Sequence, residues 1–363
     1  MTDPNANATM YQLSKDSNFH FGILRALAMA TYDGADIDEC LVAANSIVPG
    51  DFESFSKSFL AIANNVYRRA LGIAKTRFPV SARIAFFSAA TYFRSADFHL
   101  HGNPADARIM DYWAKQTDAF DQGLALLSPP GTRLNIKTLD FDIFPEEMFH
   151  VAGLAALERG YNVAHIRRSR TTLTTSPSGQ RLHRRLGKGS SPPSWTYVLD
   201  KTNDVDPEAV ALYGLSLGVM AMDGVWDFGA VVRHGFGPDA MRIHDSGDKA
   251  KFDALAQRYL RPGTPTSIRW GLEHGMWAFN TGSPLDFVTE VQKFTLEGVT
   301  RYIRTPVLIG DAHDDMFFFT GQARQLAEAI GKWATLYYFK NQDSIGTHAF
   351  GDWGVEAAQP GDL

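Results

Sequence analysis

Apolar residues recur at three- and four-residue spacing through most of the first 128 residues. This period places them on one face of a helix. The predicted helices cover residues 37–47, 52–74, 81–95 and 105–127. Asp51 and Asn103 offer capping or turn chemistry, and Pro79 and Pro104 mark breaks between helices. The pattern therefore predicts an N-terminal helical domain over residues 1–128.

Aromatic side chains are concentrated in residues 86–98, which hold Phe86, Phe87, Tyr92, Phe93 and Phe98. Aromatic residues at helical spacing are more often part of a core than of a ligand-binding box. We therefore predict that this segment is buried helix.

The pattern changes after the linker Ser-Pro-Pro-Gly at 128–131. Short apolar runs of strand length then alternate with helical segments, which is typical of an α/β fold. The predicted strands are 134–144, a segment from 161, 209–213, 305–310 and 334–339, and the predicted helices are 146–159, 229–300 and 319–330. We therefore predict an α/β domain over 129–363, with the helices of about 229–300 inserted as a lid.

Composition narrows the classes of function. The chain has 363 residues, 45% of them apolar and 21% charged, with a net charge of −5 and a pI of about 6.1. This balance is typical of a globular protein and favours no nucleic-acid partner. A single cysteine, Cys40, excludes an internal disulfide and suits a reducing compartment. The polar N-terminus and the absence of a long apolar run predict a cytoplasmic protein with no membrane partner, and homodimer formation is left open.

A nucleophile-elbow pattern, Gly214-Leu-Ser216-Leu-Gly218, follows the predicted strand at 209–213. Glycine on both sides of the serine suits a sharp strand-to-helix turn that exposes the serine Oγ. The backbone N–H of Leu217 would then be free to stabilise an oxyanion. The alternative is an ordinary loop, because glycine and serine are common there. The strand before the motif favours the nucleophile.

A candidate acid and a candidate base follow in the chain order expected of such a serine. Asp314 lies in the loop after the strand at 305–310, with Asp311 and Asp315 as rivals, and His348 lies in a loop after the strand at 334–339. A serine hydroxyl needs a base to take its proton and a third group to orient that base. The alternative for the acids is a set of solvated turn carboxylates. We expect neither a metal nor a cofactor.

Several segments together resemble one protein family. They are Tyr92-Phe93-Arg94-Ser-Ala-Asp-Phe98, Glu146-Glu147-Met148-Phe149, Asp206-Pro207-Glu208, the elbow, Asp223-Gly-Val-Trp-Asp227, residues 310–315 and His348. The chain resembles the fungal secondary-metabolism α/β-hydrolases with an N-terminal helical domain. That family includes polyketide-shortening pigment hydrolases and fusarin- and cytochalasin-pathway hydrolases, with dihydropseudooxynicotine hydrolase as a bacterial relative.

The resemblance implies an α/β-hydrolase fold with Ser216 as nucleophile, Asp314 as acid and His348 as base. It implies a polyketide or polyketide–amino-acid substrate that undergoes ester or carbon–carbon bond cleavage, or ring closure. The helical domain and the lid would wall the substrate pocket. Its predicted apolar lining is Trp226, Trp270, Trp277 and Phe279.

The chain departs from the family pattern at two short joins. Phe144-Pro145 runs directly into Glu146, where relatives carry two strands and a glycine-rich loop that donates an oxyanion N–H. Four residues separate Gly218 from Asp223, which is too short for the helix expected between parallel strands. The fold class is therefore predicted with a core that these joins could leave incomplete, and a catalytically inactive homologue is the alternative function.

A third departure is a basic stretch at 164–191, which holds arginine, lysine and histidine but no acid. It is interpreted as a solvated insert, as a site for an anionic partner, or as an out-of-frame translation. Residues 166–172 can be encoded ATA CGA AGG TCC AGG ACA ACC, and dropping the first base yields Tyr-Glu-Gly-Pro-Gly-Gln, which is the turn that relatives carry. The frame hypothesis explains this stretch better than a ligand site does.

Overall fold

The computed structural model describes residues 11–131, 145–158, 163, 214–215, 220–222, 224–312, 315, 318 and 321–339. Contacts between Cα atoms divide the chain into two compact units. The helical unit comprises Gln12–Leu182 with Ala254–Gly282, and the sheet unit comprises Met1–Tyr11, His183–Asp253 and Ser283–Leu363. The predicted boundary at residue 128 stays a prediction, because 132–144 lie outside the described residues.

Five helices open the helical unit. They are α1 (Ser17–Ala28), α2 (Ile37–Asn45), α3 (Phe52–Gly72), α4 (Pro79–Asp97) and α5 (Ala107–Leu124). The four helices predicted from the apolar period, α2 to α5, are confirmed within a few residues. The N–H groups in the first turn of a helix have no acceptor within that helix. In α1, α2, α3 and α5 an aspartate side chain before the helix accepts from them: Asp16, Asp36, Asp51 and Asp106 respectively. Pro79 is the first residue of α4, where its missing N–H costs nothing.

The core of the helical unit is aromatic. Phe55, Phe59, Phe86 and Phe93 are at most 1% exposed, and burial of such rings supplies much of the driving force for folding. The prediction that 86–98 is helix core is therefore confirmed. Gly123 of α5 lets this core close, because a Cβ there would overlap the ring of Phe87 on α4.

The helix predicted over 146–159 is confirmed in three parts. They are α6 (Pro145–Met148), a π-helical turn (Phe149–Gly153) and α7 (Leu154–Glu158). The turn buries Phe149 and His150. The His150 Nδ1–H donates to the carbonyl oxygen of Tyr32 at 2.7 Å, since a carbonyl can only accept. This bond ties the segment to the 3-10 turn Met29–Tyr32, which follows α1.

Among the described residues, four parallel strands form the sheet of the sheet unit. They are β1 (Gly214–Leu215), β2 (Met220–Met222), β3 (Val307–Ala312) and β4 (Ala334–Phe339), in that spatial order. The strands predicted at 305–310 and 334–339 are confirmed, the first shifted by two residues. The predicted strands at 134–144 and 209–213 lie outside the described residues, as does nearly all of the one from 161.

The expectation that a crossover helix must separate the elbow from the next parallel strand is wrong, because β1 and β2 pair in parallel although only residues 216–219 lie between them. Leu215 lies opposite Met222, so the chain returns by two residues and moves across by one strand. That displacement is about 8 Å, whereas five Cα–Cα steps can span more than about 16 Å. The connection is therefore long enough for β1 and β2 to pair in parallel.

Five further helices are described after β2 in the chain order. They are α8 (Phe228–Asp245), α9 (Lys249–Ala256), α10 (Thr266–Ala278), α11 (Pro284–Val291) and α12 (Gln322–Ile330). The helical character predicted for 229–300 is confirmed, although contacts assign Ala254–Gly282 to the helical unit. Among the described residues, no helix is both long and apolar enough to cross a membrane.

Candidate active site

The three predicted catalytic residues, Ser216, Asp314 and His348, lie outside the described residues, as does Leu217. The strands before them are described. β1 ends one residue before Ser216, β3 ends two residues before Asp314, and β4 ends nine residues before His348. Because all four strands are parallel, their carboxyl ends meet at one edge of the sheet.

The register fixes how close these strand ends are. Leu215 lies opposite Met222, Ala221 opposite Ile309, and Gly310 opposite Tyr337. Neighbouring strands are about 4.8 Å apart, so β1 and β4, the outer strands, are about 14 Å apart. Three loops that leave one edge over this span can bring a hydroxyl, a carboxylate and an imidazole into one site.

The two rival acids are described, and they differ. The Asp315 carboxylate accepts from the backbone N–H of Phe318 at 2.9 Å, as in a turn. Burial raises the pKa of Asp311, the charge of Asp315 raises it further, and Arg324 opposes the shift. Groups with a shifted pKa are concentrated at functional sites, so Asp311 is a candidate functional residue at this edge of the sheet. Asp314 stays the predicted acid.

Trp226, one of the four predicted pocket residues, belongs to the sheet unit. It lies between β2 and α8 and packs, partly buried, against the cluster of Val307, Ile309 and Leu326. Its backbone N–H donates to Gln322 Oε1 at 2.9 Å. Trp226 thus helps to hold α12 on the sheet, and a contact with substrate stays a prediction.

Trp270 and Trp277 belong to the helical unit, where they join an aromatic stack. The Trp270 ring stacks on Phe98 with centroids 4.9 Å apart, and its Nε1–H donates to the Phe98 carbonyl at 3.1 Å. Trp270 also stacks on His274, and the ring centroid of His101 lies 4.6 Å from that of His274 and 4.2 Å from that of Trp277. The stack fixes α10 against the end of α4. The fourth predicted residue, Phe279, is partly buried directly after α10.

A buried charged cluster was missed at the sequence level. Arg25 of α1 forms a bidentate ion pair with Glu147 of α6, and the second of its bonds measures 2.7 Å. Arg94 Nε lies 3.9 Å from Glu147 Oε2, and Arg94 also covers the face of Phe98 at 4.7 Å. The signal available was Glu146-Glu147 at a helix start, but nothing local pairs it with an arginine 122 positions away.

This cluster borders a small cavity in the helical unit. Gln116, His150 and Glu146 line it together with the two arginines. Its volume is about 20 Å³, which is enough for one water molecule and far below the volume of a substrate pocket. The cluster therefore acts as a structural tie within the helical unit.

The burial of Glu273 in α10 is expected to make the stability of the protein depend on pH. A Cβ at Gly102 would lie 2.6 Å from its carboxylate, so glycine makes room for it. Burial raises the pKa of Glu273, although Arg269 donates to it at 2.9 Å and opposes the shift. As pH rises above about 4.3, the unfolded chain releases this proton first, so the free energy of unfolding falls. Glutamine does not titrate, so Glu273→Gln removes this decrease in the free energy of unfolding.

We therefore expect the stability of Glu273→Gln, relative to the wild type, to increase as pH rises from acid to neutral. Glu53→Gln is the comparison with the opposite sign, because hydrogen bonds from Arg108 lower the pKa of Glu53. Its relative stability should decrease over the same range. Urea unfolding at several pH values measures both, and parallel curves for Glu273→Gln and the wild type would contradict the expectation.

Comparison with known proteins shows what this chain is similar to. No protein-family model matches the chain. The hydrolase LUC6 of a Fusarium species is 27% identical over 375 positions, covering 86% of each chain. The 20-hydroxy-prefusarin hydrolase FUS2 of Gibberella moniliformis is 27% identical over 367 positions, covering 85% of each. The crystal structure of 2,6-dihydroxy-pseudo-oxynicotine hydrolase superposes with a TM-score of 0.59 and 15% identity, over 91% of this chain and 92% of that one.

The alignment lengths show that this chain is shorter than its relatives within the shared region. The alignment with LUC6 has 375 positions, whereas 86% of 363 residues is about 312, so about 60 positions are gaps in this chain.

The resemblance found in the sequence is thus confirmed over most of the chain, and the fold agrees with it. The relatives are hydrolases of fungal secondary metabolism, and the solved structure shares the arrangement of helices and parallel sheet. This chain is a homologue of the fungal secondary-metabolism hydrolases and has an α/β-hydrolase fold.

Proposed function

We propose that the protein is a serine hydrolase that acts on a polyketide or polyketide–amino-acid intermediate of secondary metabolism. Its homology to biosynthetic hydrolases supports the class of reaction. The relative named for 20-hydroxy-prefusarin supports the class of substrate. The product is an acid or a ketone released by ester or carbon–carbon cleavage, or a ring closed in the same pocket.

The proposed mechanism uses three side chains and one backbone group. His348 takes the proton of Ser216 as its Oγ attacks a substrate carbonyl, and Asp314 orients and stabilises the imidazolium that forms. The N–H of Leu217 donates to the oxyanion. His348 then returns the proton to the leaving group, and water or an internal nucleophile of the substrate releases the product.

The observation that carries the proposal is the order of the chain along the sheet. The predicted nucleophile follows β1, the predicted acid follows β3 and the predicted base follows β4, all parallel strands with adjacent carboxyl ends. This is the order of serine, acid and histidine expected in an α/β-hydrolase. An ordinary Gly-x-Ser-x-Gly loop would not require it.

Labelling with a fluorescent fluorophosphonate tests the nucleophile directly, because the reagent forms a covalent bond only with an activated serine. We expect the wild type to be labelled and Ser216→Ala to lose the label. Ser46→Ala is the matched control, since Ser46 is exposed at the end of α2 and far from the sheet in the chain. Labelling of Ser216→Ala at the wild-type level would refute Ser216 as nucleophile.

A second candidate function is a catalytically inactive homologue. The direct join of Phe144-Pro145 to Glu146 and the four-residue connection between β1 and β2 favour it, because the family resemblance implies an oxyanion loop and a crossover helix at these two places. A folded wild-type protein that takes no label at any serine would establish this alternative. Sequencing the transcript across codons 140–225 would show whether the short joins are present in the message.

A further inference from the structure

The turn that joins α3 to α4 presents apolar side chains to solvent. We name residues 71–80, Leu-Gly-Ile-Ala-Lys-Thr-Arg-Phe-Pro-Val, the hairpin tip. Leu71, Phe78 and Val80 are 52%, 48% and 52% exposed, and Ala74 and Pro79 are exposed beside them. Single exposed apolar residues need no explanation, but a cluster within ten positions marks a contact surface.

The segment of the chain that contains the hairpin tip carries charges of one sign. Residues 54–96 contain seven lysines and arginines and no aspartate or glutamate. Glu39 and Asp33 neutralise Arg69 and Arg83 through ion pairs of 2.5 and 2.7 Å. Arg68 and Arg77 are exposed and form no ion pair within the described part of the chain.

Two further contacts define the cationic rim. The guanidinium of Arg77 lies 5.1 Å from the centroid of the Phe78 ring, so that cation and apolar ring point the same way. Asp118 of the neighbouring α5 is engaged by Tyr67 and by the Gln122 side chain at 2.9 Å. Asp118 keeps its negative charge beside Tyr67, so the positive charges that the tip offers are those of Arg68 and Arg77, which no ion pair within the described residues neutralises.

The shape of the tip decides what it fits. It is the end of a helical hairpin, and none of its residues lines the cavity beside Arg25 and Glu147 or the open cavity beside Lys15 and Arg269. A Cβ at Gly72 would meet nothing within 4 Å. A convex apolar tip with a cationic rim complements a flat, anionic lipid surface, into which apolar side chains can sink. A protein partner would have to supply a groove.

We propose that the hairpin tip docks on an anionic lipid bilayer. Leu71, Phe78 and Val80 enter the boundary between head groups and acyl chains, while Arg68 and Arg77 contact lipid phosphates. With two cations and three side chains, the binding is peripheral and reversible. It requires no membrane-spanning helix, and it departs from the expectation in the sequence analysis that the protein has no membrane partner.

Co-sedimentation with vesicles tests the proposal. We expect the full chain to bind vesicles of phosphatidylcholine with about 30% phosphatidylserine, and to bind less in about 0.5 M NaCl and to pure phosphatidylcholine. Phe78→Ser should lower the partition coefficient about tenfold, because most of a phenylalanine side chain no longer leaves water. Arg77→Gln should lower it about fivefold.

Val80→Ser and Val48→Ser form the matched pair of controls. Val48 is 56% exposed but precedes the first turn of α3, which is 21 residues long. A helix of that length separates the two ends by about 30 Å. Only Val80→Ser should weaken binding. Phe78 is the N-cap of α4, where serine is favoured, so circular dichroism of Phe78→Ser should match the wild type. Absence of wild-type binding, as a protein partner would give, or equal losses in both valine variants, overturns the proposal.

Discussion

Replacement of His348 by alanine is expected to lower kcat/KM for a short aryl ester by about 10⁴-fold or more, which is about 5.5 kcal/mol of transition-state stabilisation. Without the imidazole, the Ser216 hydroxyl has no base to take its proton and remains a poor nucleophile. When two side chains act as one catalytic unit, the effects of replacing them do not add. The double variant Ser216→Ala/His348→Ala should therefore be no slower than the worse single variant.

His234→Ala is the control for this experiment, since His234 is an exposed histidine of α8 with no predicted role. It should retain the wild-type kcat/KM. A His348→Ala enzyme within tenfold of the wild type would show that another group serves as base. A wild type without ester hydrolysis would favour the inactive homologue.

Replacement of Phe55 by alanine is expected to reduce the free energy of unfolding by about 3–5 kcal/mol. Phe55 is 1% exposed, and its ring lies 5.1 Å from Phe19, 5.1 Å from Phe59 and 4.6 Å from His99. The variant loses the transfer free energy of the ring and leaves a cavity among rigid aromatic neighbours. Because single domains have about 5–15 kcal/mol of stability, this is a large fraction of the total.

Leu71→Ala in the last turns of the same helix is the matched control, because Leu71 is 52% exposed. Its effect on the free energy of unfolding should stay within about 0.5 kcal/mol. Urea denaturation followed by circular dichroism measures both variants. A loss of less than about 1 kcal/mol in Phe55→Ala would mean that the core repacks around the missing ring.

The helices and the two long strands could be predicted because their signals are local. The apolar period identifies α2 and α3, Asp51 caps α3 as expected, and the predicted strand 334–339 agrees with β4 at both ends. β3 was predicted two residues too early, since the run begins at Thr305-Pro306 and proline lacks an N–H for the ladder. Pairing with β4 instead carries β3 on to Ala312.

The candidate site could be predicted in part only. The elbow and the chain order of serine, acid and histidine are sequence patterns, and homology supports the hydrolase class that they indicated. The assignment of Asp314 over Asp311 and Asp315 stays a prediction, because three carboxylates in one loop look alike until their neighbours are known. The raised pKa of Asp311 is an example of what the neighbours decide, since it arises from the burial of this residue in β3.

By itself the sequence determined the kinds of element, their order and the residues available for chemistry, because helical and strand periods are written within a few neighbouring positions. Only the tertiary structure decided which distant positions meet. The parallel pairing of β1 with β2 through four residues, the Arg25–Glu147 pair and the Trp270–Phe98 bond, whose partners are 172 positions apart, are examples. Such contacts depend on which faces of separate elements pack together, and no local pattern encodes that choice.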